Sequence, residues 1–141
     1  MHPNYKRANE WSSHLLAAAI EVHKCLGPGL LESIYEKCLI RELELRNIRA
    51  TTQAPVQVKY KGIQFEESLR LDLLVEDCLV VELKAVELVL PIHKAQLLSY
   101  MRLINAPLGL LINFHETKLV QGVHRLILRG ADSENATQLS Q

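Results

Sequence analysis

Asp72, Glu82 and Lys84 are the residues whose types and spacing could do chemistry together. They lie in the stretch Arg70-Leu-Asp-Leu-Leu-Val-Glu-Asp-Cys-Leu-Val-Val-Glu-Leu-Lys84. This stretch reads as two strands joined by a short turn at Glu76-Asp77. Strand side chains alternate, so Cys78, Val80, Glu82 and Lys84 share one face of the second strand, and Val81 and Leu83 take the other. On the first strand the same rule puts Leu69, Leu71, Leu73 and Val75 on one face and Arg70, Asp72 and Leu74 on the other. The charged groups interrupt what is otherwise core sequence. A buried charge without a partner is expensive, so Asp72, Glu82 and Lys84 need one another, water or a cation.

Register decides whether the two acids meet. An antiparallel pair whose loop has an odd number of residues, centred on Asp77, sets Asp72 opposite Glu82. A two-residue loop at Glu76-Asp77 pairs Asp72 with Val81 and sends the carboxylates to opposite faces. We expect the three-residue loop, or a bulge with the same effect. Two carboxylates held close repel, and a divalent cation resolves the repulsion. Mg²⁺ takes oxygen ligands and keeps several waters. Lys84 beside the pair could hold a phosphate or a developing hydroxide.

Asp72 followed by Glu82-Leu83-Lys84 resembles the D…(D/E)-x-K pattern of the PD-(D/E)XK nuclease superfamily. Gly29-Leu-Leu-Glu32-Ser-Ile-Tyr35 resembles the signature of the GxxExxY proteins, a prokaryotic branch of it. Gln96-Leu-Leu-Ser-Tyr100 resembles the Q-x-x-x-Y element of its exonuclease-type members. The order and spacing match from about Leu15 to Leu128. The resemblance implies an α/β fold with an α-β-β-β-α-β mixed sheet flanked by helices, here preceded by an extra N-terminal helix. It implies metal-assisted phosphodiester hydrolysis. Asp72, Glu82 and the Leu83 carbonyl would ligate Mg²⁺ or Mn²⁺, with Glu32 as a direct or water-mediated ligand. Lys84 and Gln96 would complete the catalytic set. Tyr100, His93, Tyr35 and Arg70 would contact substrate.

Composition bounds the partners. The chain has 141 residues, enough for one domain with a sizeable core. We expect that domain to end near residue 130, with 131–141 a disordered polar tail. Lys plus Arg and Asp plus Glu number 16 each, so net charge is zero. A dedicated duplex binder usually carries a basic excess. Any nucleic-acid surface must therefore be a local patch, or the substrate must be short, or a partner must supply the charge. The 3 cysteines, with no C-x-x-C, argue against a disulfide framework or a zinc site and read as small core residues in a cytoplasmic protein. No apolar run reaches membrane-spanning length, and the N-terminus lacks a signal-peptide pattern.

The remaining elements must position the site. Met1 to Arg7 reads as an irregular arm. Trp11, Leu15, Ala18, Ala19, Val22 and Leu26 predict a helix over Ala8 to Cys25, with His14 and His23 as surface or capping residues. Gly27-Pro28-Gly29 turns the chain. A second helix is predicted over Leu30 to Asn47, with Glu32 in its first turn. The helix dipole alone explains an acid there; the resemblance turns it toward the metal, with Gly29 letting the backbone pass close. Tyr35 could bond Glu32 or substrate, or be core with its hydroxyl satisfied.

Ala54 to Tyr60 and Ile63 onward alternate as strands around Lys61-Gly62, with a kink at Glu66-Glu67-Ser68. Pro91 opens a third helix to Ile104, where His93, Gln96 and Tyr100 share a face. That face is an exposed polar stripe unless the resemblance holds. Leu108 to Phe114 is a strand buried on both faces, parallel to the Cys78–Ala85 strand, and Gly109 permits close helix packing. A last short hairpin or edge strand spans Leu119 to Leu128. Asn135-Ala-Thr137 has the glycosylation spacing. Besides a nuclease, two other classes fit: a non-catalytic protein binding a nucleotide or phosphate ligand, and a homodimeric interaction module whose charges form a buried network.

Overall fold

The computed structural model describes residues 1–133, apart from the side chains of residues 66–68. Helix α1 (Tyr5–Leu26) is followed by α2 (Glu32–Leu45), β1 (Ala50–Tyr60), β2 (Ile63–Val75), β3 (Leu79–Lys84), α3 (Pro91–Ile104), β4 (Leu108–Asn113), a 3₁₀ turn (Leu119–Gly122) and β5 (Val123–Ile127). The five strands lie side by side in sequence order. β3 and β4 are parallel, joined by the α3 crossover, and the other neighbours are antiparallel. This is the α-β-β-β-α-β order the resemblance implies, with α1 as the extra helix. Among the described residues no helix is long and apolar enough to cross a membrane.

Helices cover both faces of the sheet. Leu15, Ala18, Ala19 and Val22 of α1 and Tyr35, Leu39 and Leu43 of α2 pack on Leu73, Val75, Leu79, Val81, Leu83, Leu110 and Ile112. On the far side Leu97, Tyr100 and Met101 of α3 pack on Ala54, Val56, Leu71, Val80 and Leu111. β3 and β4 are apolar along nearly their whole length because both of their faces are covered. Gly109 is needed where α3 presses hardest. A Cβ there would sit 2.6 Å from the Met101 sulfur and 3.2 Å from Leu97.

The β2–β3 register pairs Leu73 with Val81, Leu74 with Val80 and Val75 with Leu79. The loop is therefore Glu76-Asp77-Cys78, centred on Asp77. Glu76 and Asp77 both take left-handed backbone angles, φ 49° and 58°. Burial of Glu76 holds the loop. Its carboxylate accepts the Arg49 N–H at 2.9 Å and the Arg49 guanidinium at 3.4 Å, and its own N–H donates to the Arg49 carbonyl. That clamp carries β1 back to Ala50, four residues earlier than its alternation predicts.

Two expected patterns are overturned. Cys78 lies in the loop and packs in the α1–α2 layer, so it does not share a face with Val80, which packs in the α3 layer. Leu69, Leu71, Leu73 and Val75 do not share a face. Leu69 and Leu71 pack in the α3 layer, Leu73 and Val75 under α1 and α2. β2 turns over at Asp72. Its neighbour across the ladder, Gln53, has φ 49°, and pairing is missing between Thr52↔Leu73 and Ala54↔Leu71. Period-two alternation assumes an unbroken pleat, and a local irregularity swaps the faces.

Other differences have tertiary causes. α1 begins at Tyr5 rather than Ala8, because Arg125 of β5 donates to Tyr5, Asn9 and Ser12 and gives the first turns a partner. His23 is buried, not a surface group, and its Nε2 lies 2.8 Å from the Glu116 carbonyl. Cys78 is core, but Cys25 is exposed. Gly29 has open space around it, so its φ of +99° rather than close backbone approach requires glycine. Of the two forms expected for the last segment the edge strand is the one present, preceded by a 3₁₀ turn. Asn135-Ala-Thr137 and the tail beyond Ser133 lie outside the described residues, as do the side chains of Glu66-Glu67-Ser68.

Gly109→Val should overpack the α3–sheet contact and destabilise the protein by about 1–3 kcal/mol, read as a lowered urea midpoint.

Candidate active site

β2 and β3 stop pairing through their backbones just past Leu73 and Val81. There the two acids take over. The Asp72 N–H donates to Oε1 of Glu82 at 3.1 Å, and the Leu83 N–H donates to Oδ2 of Asp72 at 2.9 Å. Each carboxylate fills the gap that the partner strand's carbonyl would fill in an intact ladder. Backbone N–H groups from both strands thus hold the two side chains in place before anything binds. The acids expected to oppose each other do so.

Lys84 and Glu32 flank the pair. Lys84 ends β3, half-buried, and its charge is felt by both Glu82 and Glu32. Among the described residues Lys84 makes no ion pair within 4.0 Å. Burial first and the neighbouring Asp72 charge second push the Glu82 carboxyl up to about 8, against the opposing pull of the Asp72 N–H bond and of Lys84. Glu32 is also raised, first by burial, with Lys84 lowering it and Asp72 and Glu36 raising it. Glu82 and Glu32 thus both feel Asp72 and Lys84, although Glu32 comes from a different layer.

The sheet registers this cluster through residues the sequence did not single out. Gln53 donates to Oε1 of Glu36 at 3.1 Å and to Oδ1 of Asp72 at 3.5 Å, tying α2 to the acids. Asn113 is the register partner of Lys84 and is buried. Its side chain accepts the Val86 N–H at 3.1 Å and donates to the Val86 carbonyl at 2.8 Å, fixing the chain just beyond Lys84. A polar residue ending an apolar strand was the available signal for Asn113. Gln53 had none.

The remaining expected residues divide. Arg70 is exposed beside the fork, its guanidinium 3.2 Å from the Gln53 carbonyl. Gln96 is exposed on α3 and donates to the Tyr100 hydroxyl at 3.0 Å rather than to Lys84. The Tyr100 ring belongs to the α3 core. His93 caps its own helix: Nδ1 accepts the Leu90 N–H at 3.0 Å. Tyr35 is corrected outright as a substrate contact. It is fully buried and stacked on Phe114, and its hydroxyl donates to the Gly27 carbonyl at 2.6 Å and accepts the Leu30 N–H. It braces the turn that delivers Glu32.

The donor chemistry fits a hard cation. Two crowded carboxylates, one with its charge opposed by burial, are relieved by a positive ion, and Mg²⁺ needs only one or two carboxylates besides water and substrate oxygens. Among the described residues, however, no three His, Cys, Asp or Glu side chains gather closely enough to hold a metal. Glu32 is therefore not assembled with Asp72 and Glu82 as a third direct ligand.

The sequence model that describes the PD-(D/E)XK nuclease superfamily matches residues 9–126, which include every residue of this cluster. No curated protein and no solved structure matches.

The raised Glu82 carboxyl has a sign. The folded protein binds this proton more tightly than the unfolded chain, so its contribution to stability falls as pH rises from the ordinary carboxylate range toward about 8. In chelator, the wild-type melting temperature should decline over that window. Glu82→Gln should flatten the decline, and thermal melts across the pH series check it.

Proposed function

The chain belongs to the PD-(D/E)XK nuclease superfamily, and from that premise we propose that it is a divalent-metal-dependent nuclease that hydrolyses phosphodiester bonds of nucleic acid. Its Gly29, Glu32 and Tyr35 support placing it in the GxxExxY branch. The observation that carries the reading is the reciprocal lock between Asp72 and Glu82, with an unpaired lysine two residues beyond. A purely structural charge network would pair Lys84 with an acid, and among the described residues it has no such pair.

In this reading Asp72, Glu82 and the Leu83 carbonyl hold Mg²⁺ or Mn²⁺, with Glu32 acting through water. A bound ion of this kind acidifies a water and neutralises charge on the phosphoryl oxygens. The chain's own groups do the rest. The backbone-bonded carboxyl groups are held in place beforehand, so a cation would find its ligands set and little reorganisation would be left for the reaction itself. Lys84 presents its ammonium to the phosphate or the attacking oxygen and stabilises the negative charge that grows there. Gln96, steadied by Tyr100, would meet substrate from α3, and His93 has Nε2 left to do so because Nδ1 already accepts the Leu90 N–H. Arg70 lies where the substrate backbone leaves the site.

Lys84→Ala and Asp72→Asn should each lower metal-dependent cleavage by roughly 10²–10³-fold, while neither lowers the melting temperature of the metal-free protein strongly. Calorimetric titration should show Mg²⁺ or Mn²⁺ binding in wild type and its loss in Asp72→Ala. Undiminished cleavage in both variants would rule out this mechanism. A large loss of stability in Lys84→Ala would favour the structural network instead.

A further inference from the structure

A chain with zero net charge can hold a polyanion by a local patch, and β1 offers one. Its sequence, ATTQAPVQVKY, contains no acidic residue. As the outermost strand it leaves Gln53, Pro55, Gln57 and Lys59 exposed in a row. The row starts at Gln53, whose side chain reaches Asp72. It ends in a cavity of about 660 Å³ lined by Pro55, Gln57, Lys59, Arg102, Leu103 and Ile104. Arg70 stands between: it pairs with Pro55 in the ladder and bonds the Gln53 carbonyl.

We propose that this pocket between β1 and the end of α3 is a remote phosphate-anchoring subsite, which holds a nucleic-acid backbone at a fixed distance from the Asp72–Glu82 pair. The proposal rests on the nuclease reading for the chemistry at the pair, and on the pocket alone for the anchor. Lys59 and Arg102 come from different layers yet line one cavity, with no carboxylate among its described lining residues. Two cations brought to one cavity repel, and an anion between them removes the repulsion. Arg102 near the end of α3 also meets the negative pole of that helix, but this does not account for Lys59 beside it.

The spacing sets an upper length. Six residues from Gln53 to Lys59 span at most roughly 20 Å, and the left-handed Gln53 and the shift between Val56 and Val58 shorten it. At the axial spacing of about 3.4 Å per nucleotide in a duplex strand, that is at most about six nucleotides. Arg70 meets the backbone part-way. A substrate shorter than this reaches the carboxylates without the anchor, so the pocket confers a preference for long substrates over short ones.

The test compares wild type with the double variant Lys59→Ala/Arg102→Ala, using DNA and RNA duplexes well above and well below that length and bis(p-nitrophenyl) phosphate as a small diester. Binding of the long duplex is measured against salt. The double variant should lose about 1.8 from the slope of log K against log salt, at roughly 0.9 for each phosphate contact. It should also lose at least tenfold of the wild-type preference for long duplex over small diester. Lys59→Arg/Arg102→Lys, which keeps the charge, should retain the slope. An unchanged slope in the double variant overturns the subsite, even if both proteins cleave. A wild type that hydrolyses neither substrate with Mg²⁺ or Mn²⁺ fails the nuclease reading instead, and the slope still decides the pocket.

Discussion

Two carboxylates replace backbone carbonyls at one point in the sheet, and the rest of the structure serves that substitution. An antiparallel ladder normally satisfies its own N–H groups. At Asp72 and Leu83 those groups are satisfied by side chains from across the gap. The arrangement costs free energy, because it crowds like charges where burial already disfavours one of them. It persists because the two strands are held on either side of the gap. The Arg49–Glu76 clamp fixes the hairpin loop, and Asn113 fixes the chain after Lys84.

The layers explain why the cluster draws on so many segments. α2 and α3 cover opposite faces of the sheet. A group reaching the fork from α2 must meet it at a place where the strand face is not sealed by core side chains. The turning-over of β2 at Asp72 makes that place. Above it β2 buries leucines toward α3, and below it toward α1 and α2. At the crossing point a polar residue can be approached from the α2 side, where Glu32, Glu36 and Gln53 lie. The distortion at Gln53 is thus part of how the site is built rather than a flaw in the strand.

Much of this was legible in the residues. Asp72 and Glu82 stand out as acids inside apolar strands, and only an odd loop brings them together; the structure has that loop. The helix–strand order followed from periodicity and from Gly27, Gly62 and Pro91 at the boundaries. What stayed hidden depends on contacts between distant segments. The face change in β2 cannot be read from alternation, which presumes a regular pleat. Tyr35 looked available because helical spacing put it near Glu32, but spacing does not reveal that its hydroxyl is consumed by the Gly27–Leu30 turn. Gln53 and Asn113 are ordinary polar residues until the fold sets them against Asp72 and Val86.

The outer position of β1 has a consequence for how molecules of this protein meet one another. Eleven residues of open edge are a template on which a second chain could add a strand, the first step toward cross-β assembly. Several features blunt it. Pro55 offers no N–H to a newcomer, and the left-handed residue at Gln53 breaks the straight line of donors and acceptors. The register shift between Val56 and Val58 bends the edge again, and Lys59 adds a charge on the open edge. The border of the sheet thus stays open to solvent while resisting fibrous self-templating.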